Sequence, residues 1–238
     1  PCAAKSSTFR LETHTWSGDI EQLRQFDVGR AALQNLFSIL SRRSQDSMAA
    51  SPRTIALGDI HGCVHALDTI LAEIQPQRYD TIVCLGDFID QGRDSRDVIR
   101  RLMKLQNECR LVTILGNHEE MLLEALDNDH ALESWIIAGG FATLNSYRFG
   151  GSVNVIPAEH LEFIRGCRDY FETNTHIFTH AGYDAELPLE EQPEYCLRWA
   201  LLEEPYPPPH MSGKQVIVGH TEQASGDPLE LGHLICIG

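Results

Sequence analysis

The sequence has no long apolar run. Nothing in its 238 residues approaches the ~20 consecutive apolar positions that a helical membrane span needs. The opening residues, Pro1-Cys2-Ala3-Ala4-Lys5, lack the apolar segment of a secretory signal. There is no Cys-x-x-Cys pair among the seven cysteines, which argues against a zinc ribbon or a thioredoxin-type site. An odd, scattered set is also a poor disulfide framework. Cys84, within Ile82–Leu85, and Cys236, within Leu234–Ile237, read as reduced core residues, so a cytoplasmic setting is expected. Basic residues are scarce: 19 Lys and Arg stand against 34 Asp and Glu, a formal −15. A surface that acidic repels a phosphate backbone, so no nucleic-acid partner and no membrane partner is expected. Internal repeats are absent, and Pro207-Pro208-Pro209 is the only low-complexity tract. At 42% hydrophobic and 22% charged, the composition is that of an ordinary globular protein rather than a disordered or fibrous one.

Residues 1–47 differ from the rest of the chain, with six basic and five acidic side chains. Ile20, Leu23, Phe26, Leu33, Leu36, Phe37 and Leu40 suggest an amphipathic helix interrupted at Gly29. A polar stretch, Ser41 to Ser47, then leads to Met48. The expectation is an N-terminal extension over 1–47, partly helical or disordered, and a catalytic domain over 48–238. Oligomeric state has no signal in the sequence.

From residue 53 one pattern recurs: a short apolar run closes on a small residue, and a polar residue comes next. Instances are Thr54-Ile55-Ala56-Leu57-Gly58-Asp59, Thr81–Asp87, Leu111–Asn117, His176–His180 and Gln215–His220. Runs rich in Val and Ile and closed by glycine read as buried strands. Helices are predicted over Val64–Ile74, Ser95–Leu105 and about His118–Leu126. The front half therefore reads β-α-β-α-β, and ligands of such α/β sheets bind at the carboxyl ends of the strands. Five strand ends here each deliver Asp, Asn or His as the chain turns.

Those strand-end groups are Asp59, His61, Asp87, Asn117, His180 and His220. They are oxygen and imidazole donors without a thiolate, a set that suits Mn, Fe or Zn. They are too many for one tetrahedral ion, so two ions are expected, with Asp87 as a bridge. Two ions ~3.5–4 Å apart can clamp both oxygens of an in-line displacement at phosphorus and bring bound water to a pKa of ~7. His118, next to Asn117, can instead protonate the leaving oxygen, and Asp90 can hold its tautomer. His65 reads as a surface or supporting residue and His176 as structural, while Glu119 opens a helix and can brace the site.

Gly58-Asp59-Ile60-His61-Gly62, Gly86-Asp87-Phe88-Ile89-Asp90-Gln91-Gly92 and Gly116-Asn117-His118-Glu119 resemble three ordered motifs of the phosphoprotein phosphatase family of metallophosphoesterases. His180-Ala181-Gly182 and Gly219-His220-Thr221 resemble its fourth and fifth. Gly139–Tyr147 is similar to a segment of the bacterial-type branch. The resemblance implies an α/β (α+β) fold: a sandwich of two mixed sheets flanked by helices, with the active site at strand ends. Periodicity alone points to a simple doubly wound sheet. The resemblance also implies that Asp59, His61 and Asp87 hold one divalent ion and Asp87, Asn117, His180 and His220 the other. Mn is the first choice. His118 with Asp90 is the implied general-acid pair, and the implied reaction is hydrolysis of phosphoserine or phosphothreonine esters by hydroxide carried on the metals.

Two departures stand out. The family's arginine after the second motif aspartate, which grips substrate phosphate bidentately, is Gln91 here. Arg198 is the favoured replacement, with Arg93 and Arg96 behind it, and Asn117 is expected to touch substrate as well. The family's chains usually continue past a strand like Leu234–Ile237, so a domain cut short at Gly238 is expected. These departures leave room for two other readings: a dinucleoside tetraphosphate hydrolase, and a degenerate scaffold that binds metal or phosphate without turnover.

Overall fold

The computed structural model describes residues 11–14, 52–150 and 152–238. The helix expected across residues 20–40 lies outside them. The backbone of Leu11–His14 forms a strand, β1, that pairs in parallel with β2, Thr54–Leu57. Next come α1 (Val64–Ile74), β3 (Thr81–Cys84), α2 (Ser95–Leu105), β4 (Arg110–Thr113) and α3 (Asn117–Ala125). The first two helices have the bounds their apolar spacing predicts. A helical insert succeeds them: α4 (Asp129–Trp135), a wide turn over Ile136–Gly140, α5 (Phe141–Ser146) and α6 (Ala158–Arg165). The last third holds β5 (Tyr170–Glu172), β6 (His176–Thr179), the short helix α7 (Glu194–Arg198), β7 (Gln215–Val218), β8 (Leu229–Glu230) and β9 (Leu234–Cys236).

The strands form two sheets. One is parallel, in the order β1-β2-β3-β4, and the other is mixed, in the order β5-β6-β7-β9-β8. Side chains alternate across each strand, so each strand has two faces with different partners. Ile55, Leu57, Ile82 and Cys84 pack with the helices, among them Leu67, Leu71, Ile99 and Leu102. Ala56, Val83, Leu85, Val112 and Ile114 turn the other way and meet Phe171, Phe178, Ile217, Ile235 and Ile237 of the second sheet. At ~1.5–3 kcal/mol per large apolar side chain buried, this seam clamps the two sheets together. The outer face of the second sheet, with Ile177, Val216, Val218 and Leu234, is covered by loop residues Tyr183, Leu189 and Leu202.

The two-sheet sandwich agrees with the resemblance and corrects the doubly wound sheet that periodicity favours. A doubly wound sheet needs a helix after each strand to cover its second face. The segment 180–214 supplies only one 3₁₀ turn and the five-residue α7. A second sheet takes the place of those helices.

Register then sets the site. Leu57, Cys84 and Thr113 are aligned neighbours across β2, β3 and β4, so the three strands end level. Phe178 aligns with Ile217, and Val218 with Cys236, in the second sheet. The polar residues just past each end are thereby delivered to one edge of the sandwich.

Candidate functional site

Asp87 is the centre of the cluster. Its side chain is 3% exposed. His61 Nε2 lies 3.8 Å and His118 Nε2 4.0 Å from Asp87 Oδ2, while His180 Nε2 lies 3.4 Å from Oδ1. Two donor triads share this one carboxylate: His61, Asp87 and His118, and Asp87, His180 and His220. Within each triad the donor atoms lie within 4.8 Å of one another.

The three expected imidazole ligands are anchored from behind. His61 Nδ1 donates to the Ile89 carbonyl at 3.0 Å, His180 Nδ1 to Leu85 O at 2.8 Å, and His220 Nε2 to Trp199 O at 3.3 Å. A nitrogen that donates outward leaves the other with a free lone pair, which is the tautomer a metal requires. Asn117 makes the same point. Its amide Oδ1 is 3.0 Å from His180 Nε2. Turned over, the amide nitrogen would reach both Asp87 oxygens, His180 Nε2 and His220 Nδ1 at 3.0–3.3 Å. The amide end of Asn117 is thus surrounded by four acceptor atoms, and a cation reconciles an oxygen with that company. The residues fit a divalent ion.

Asp59 sits beside this cluster rather than inside either triad. Both its oxygens accept the His220 amide, at 3.2 and 3.1 Å. Burial raises its pKa, the positive field of His180 lowers it, and the Asp87 charge raises it again. Burial also works against the charge on Asp87, but His180, His118 and His61 outweigh it and hold that carboxyl well below the usual range. His180 is pushed up to about 9, burial opposing and Asp87 prevailing. His220 is pushed down to about 4 by burial and then by His180.

His118 Nδ1 is 2.8 Å from Asp90 Oδ2, and Asp90 is completely buried. Burial disfavours the imidazolium, yet Asp90, Asp87 and Glu119 together raise the His118 pKa. The backbone here is strained. His61, Asp87, Asp90 and His220 all have positive φ, at 42°, 46°, 69° and 60°. Left-handed non-glycine residues cost about 1 kcal/mol or more each and persist only where surroundings hold them. Glu119 is one such hold. Its carboxylate accepts the amides of Asp87 (2.7 Å), Phe88 (2.9 Å), Ile89 (3.2 Å) and Gly116 (3.1 Å). Burial raises Glu119 to about 8, with the Asp87 charge adding to the rise, while His180, His118 and the Asp87 amide oppose it. Gly116 is needed for closeness, since a Cβ there would lie 2.2 Å from Asp87 Oδ1.

A family model described as calcineurin-like phosphoesterase matches residues 52–232, most of the chain. The chain belongs to that family. Among its relatives, serine/threonine-protein phosphatase 1 of Salmonella typhimurium strain LT2 is 33% identical over 134 residues, 54% of this chain and 58% of that one. The symmetrical bis(5'-nucleosyl)-tetraphosphatase of Edwardsiella ictaluri is 43% identical over 72 residues, 29% of this chain and 25% of that one. The match therefore spans little more than half the length of the first of these curated relatives and a quarter of the second. The solved cold-active protein-tyrosine phosphatase of the psychrophile Shewanella sp. shares the fold, with a TM-score of 0.58 at 17% identity over 77% of this chain and 70% of that one.

In this calcineurin-like phosphoesterase two of the three arginines singled out from sequence, Arg93 and Arg198, have different settings. Arg93 is at the surface, its side chain 70% exposed and 3.8 Å from Asp94. Arg198 is buried against carboxylates. It donates to Glu120 Oε1 and, at 2.6 Å, to Asp169 Oδ1, and it lies 3.5 Å from Glu194. Its Nε is buried without a hydrogen-bond partner among the described residues. Gln91 is exposed, with its amide donating to Gly139 O at 3.3 Å. Residues that sequence reasoning missed are Trp135, Thr143 and Ser95, all gathered around Asp90. The nearest signal was the Gly139–Tyr147 segment, which contains Thr143.

Proposed function

We propose that this calcineurin-like phosphoesterase is a dinuclear metal-dependent phosphatase for phosphomonoesters, with protein phosphoserine and phosphothreonine as substrates. The observation that carries this is Asp87, one carboxylate with His61 Nε2 at 3.8 Å from Oδ2 and His180 Nε2 at 3.4 Å from Oδ1, and with the Asn117 amide beside it. Asp59, His61 and Asp87 would hold one ion, and Asp87, Asn117, His180 and His220 the other, with Mn first and Fe or Zn next. Bound there, the ions would supply Lewis-acid charge and an acidified water for attack on phosphorus.

The protein's own groups do the rest. Asn117 is the amide expected to orient the phosphoryl oxygens. Arg198 is the favoured arginine for that task once substrate draws it from Glu120 and Asp169, and Arg93, just past the second motif, is a second cation. Asp90 holds the Nδ1 proton of His118 at 2.8 Å, which leaves Nε2 to deliver a proton to the departing oxygen. The raised pKa of His118 suits it to carry that proton near neutrality. A reducing cytoplasm accords with the six free thiols among the described residues.

Gln91 and the tetraphosphatase relatives favour a second reading, hydrolysis of a dinucleoside tetraphosphate. One panel tests both. Metal content is measured on the pure full chain, then turnover on an aryl phosphate, a phosphoserine peptide and a dinucleoside tetraphosphate with Mn added. About two ions per chain and faster turnover of the peptide are expected. Asp87→Asn should lose both metal and nearly all activity. Two ions without turnover of any ester would leave only a binding scaffold.

A further inference from the structure

The Asp90 carboxylate is held by more than His118. Trp135 Nε1 donates to Asp90 Oδ2 at 2.7 Å, and Thr143 Oγ1 donates to Oδ1 at 2.7 Å. The Asp90 amide in turn donates to Thr143 Oγ1 at 2.9 Å and to Ser95 Oγ at 3.1 Å. One threonine hydroxyl thus clamps both the backbone and the side chain of the same aspartate. Trp135, Thr143, Ser95 and Asp90 are all completely buried.

Both tethers come from the helical insert between β4 and β5, far along the chain from Asp90. The insert is shaped around the indole. A Cβ on Gly140 would lie 2.4 Å from Trp135 ring carbons, so glycine alone lets the backbone pass there. Gly139, with φ at 119°, turns its carbonyl to accept the Gln91 amide at 3.3 Å. The insert therefore grips the Asp90-Gln91 corner at its backbone and at its side chain.

We infer that Trp135 and Thr143 are positioning residues that fix the Asp90 carboxylate in the rotation that orients His118. The inference rests on the reading of His118 and Asp90 as the general-acid pair. A carboxylate on a left-handed residue, φ 69°, has no regular structure to set its angle. Two neutral donors, one on each oxygen, remove its rotation. With Oδ2 fixed, the His118 Nδ1–H has one place to go, and Nε2 stays turned to the reacting edge. Without them the carboxylate can swing, and the imidazole loses its set tautomer and tilt. Proton delivery then weakens, and ground-state binding does not.

The test uses leaving groups. From a dinitrophenyl phosphate the dinitrophenolate departs without a proton, whereas the alkoxide leaving an alkyl phosphate needs one. The full chain with Mn is compared as Trp135→Phe, Thr143→Val, Thr143→Ser and His118→Asn, each checked for metal content and thermal midpoint. General acids contribute about 10²–10⁴-fold, so loosening the pair should cost about 10-fold or more in kcat on the alkyl ester. On the dinitrophenyl ester Trp135→Phe and Thr143→Val should lose less than about 3-fold, with KM unchanged on both. Thr143→Ser, which keeps the hydroxyl, should restore the alkyl rate. In the metal-free chain the His118 Nδ1 proton should give a downfield proton NMR signal that is lost in Thr143→Val.

An equal loss on both esters, or no loss on either, in both Trp135→Phe and Thr143→Val overturns the inference while His118→Asn still discriminates between the esters. If His118→Asn itself treats the two esters alike, the general-acid reading fails and takes the inference with it. Should Trp135→Phe fail to fold, Thr143→Val and its serine rescue decide alone.

Discussion

Glu119 Oε2 accepts the amide of Asp87 at 2.7 Å, joining the first turn of one helix to the loop of a strand far upstream in the chain. Through the same carboxylate the amides of Phe88, Ile89 and Gly116 are also satisfied. Glu119→Ala would leave four amides in a dry interior without their acceptor, each a penalty of ~1–3 kcal/mol when no water replaces it. We expect a stability loss of about 3 kcal/mol or more in urea unfolding, together with weaker metal uptake. An unchanged urea midpoint would show that the loop holds its strained shape without Glu119.

Removal of metal should destabilise the fold as well as silence it. In the absence of an ion, Asp59 carries a buried charge that desolvation and the Asp87 carboxylate both penalise. A ligand that binds only the native state stabilises it by about 2.7 kcal/mol at 100 times its Kd. Calorimetry after chelation should show a lower Tm that climbs again as Mn is added. A Tm indifferent to both would exclude a built metal site.

Restoring an arginine at position 91 should tighten substrate binding. Gln91 is already exposed and already at φ 57°, so a longer side chain meets no wall and adds no new backbone strain. A charged hydrogen-bonding pair contributes about 1.5–3 kcal/mol, or roughly 10- to 100-fold. Gln91→Arg should lower KM for an aryl phosphate by about 10-fold, near the bottom of that range because the position is open to solvent. Steady-state kinetics that show no change in KM would mean that phosphate is gripped elsewhere.

Arg198→Met should act first on stability. The guanidinium is tied to Glu120 and Asp169, and Glu120 also accepts the indole N–H of Trp199. Without the arginine, Glu120 keeps a largely covered charge with one partner fewer. Chemical denaturation should register a loss of about 1–3 kcal/mol, the penalty for a desolvated group left short of a partner. A KM increase of 10-fold with full stability would instead assign the arginine wholly to substrate.

The strands and first helices were legible because their signals are local. Val–Ile runs closed by glycine place β2, β3, β4 and β7, the apolar pair Ile177-Phe178 ahead of Thr179-His180 places β6, and apolar spacing places Val64–Ile74 and Ser95–Leu105 at their observed bounds. The insert was not legible. Its helices are short, and Gly139–Tyr147 carried only a likeness to a family segment, with nothing to show that Gly140 makes room for an indole. The second sheet was legible only through the resemblance, since a buried parallel strand looks the same whether helices or another sheet cover it.

The order of residues by itself determined which donors arrive at each strand end: carboxylate, amide and imidazole, never thiolate. That is a matter of composition at turns, and no folding can alter it. Only the tertiary structure decided how they work together. It chose which nitrogen of His61, His180 and His220 faces inward, buried Arg198 among carboxylates, and tethered Asp90 to Trp135 and Thr143. The reason is separation. His220 meets Asp59 and Trp135 meets Asp90 across long stretches of chain, and contacts of that kind arise from how layers pack, not from spacing along the polymer.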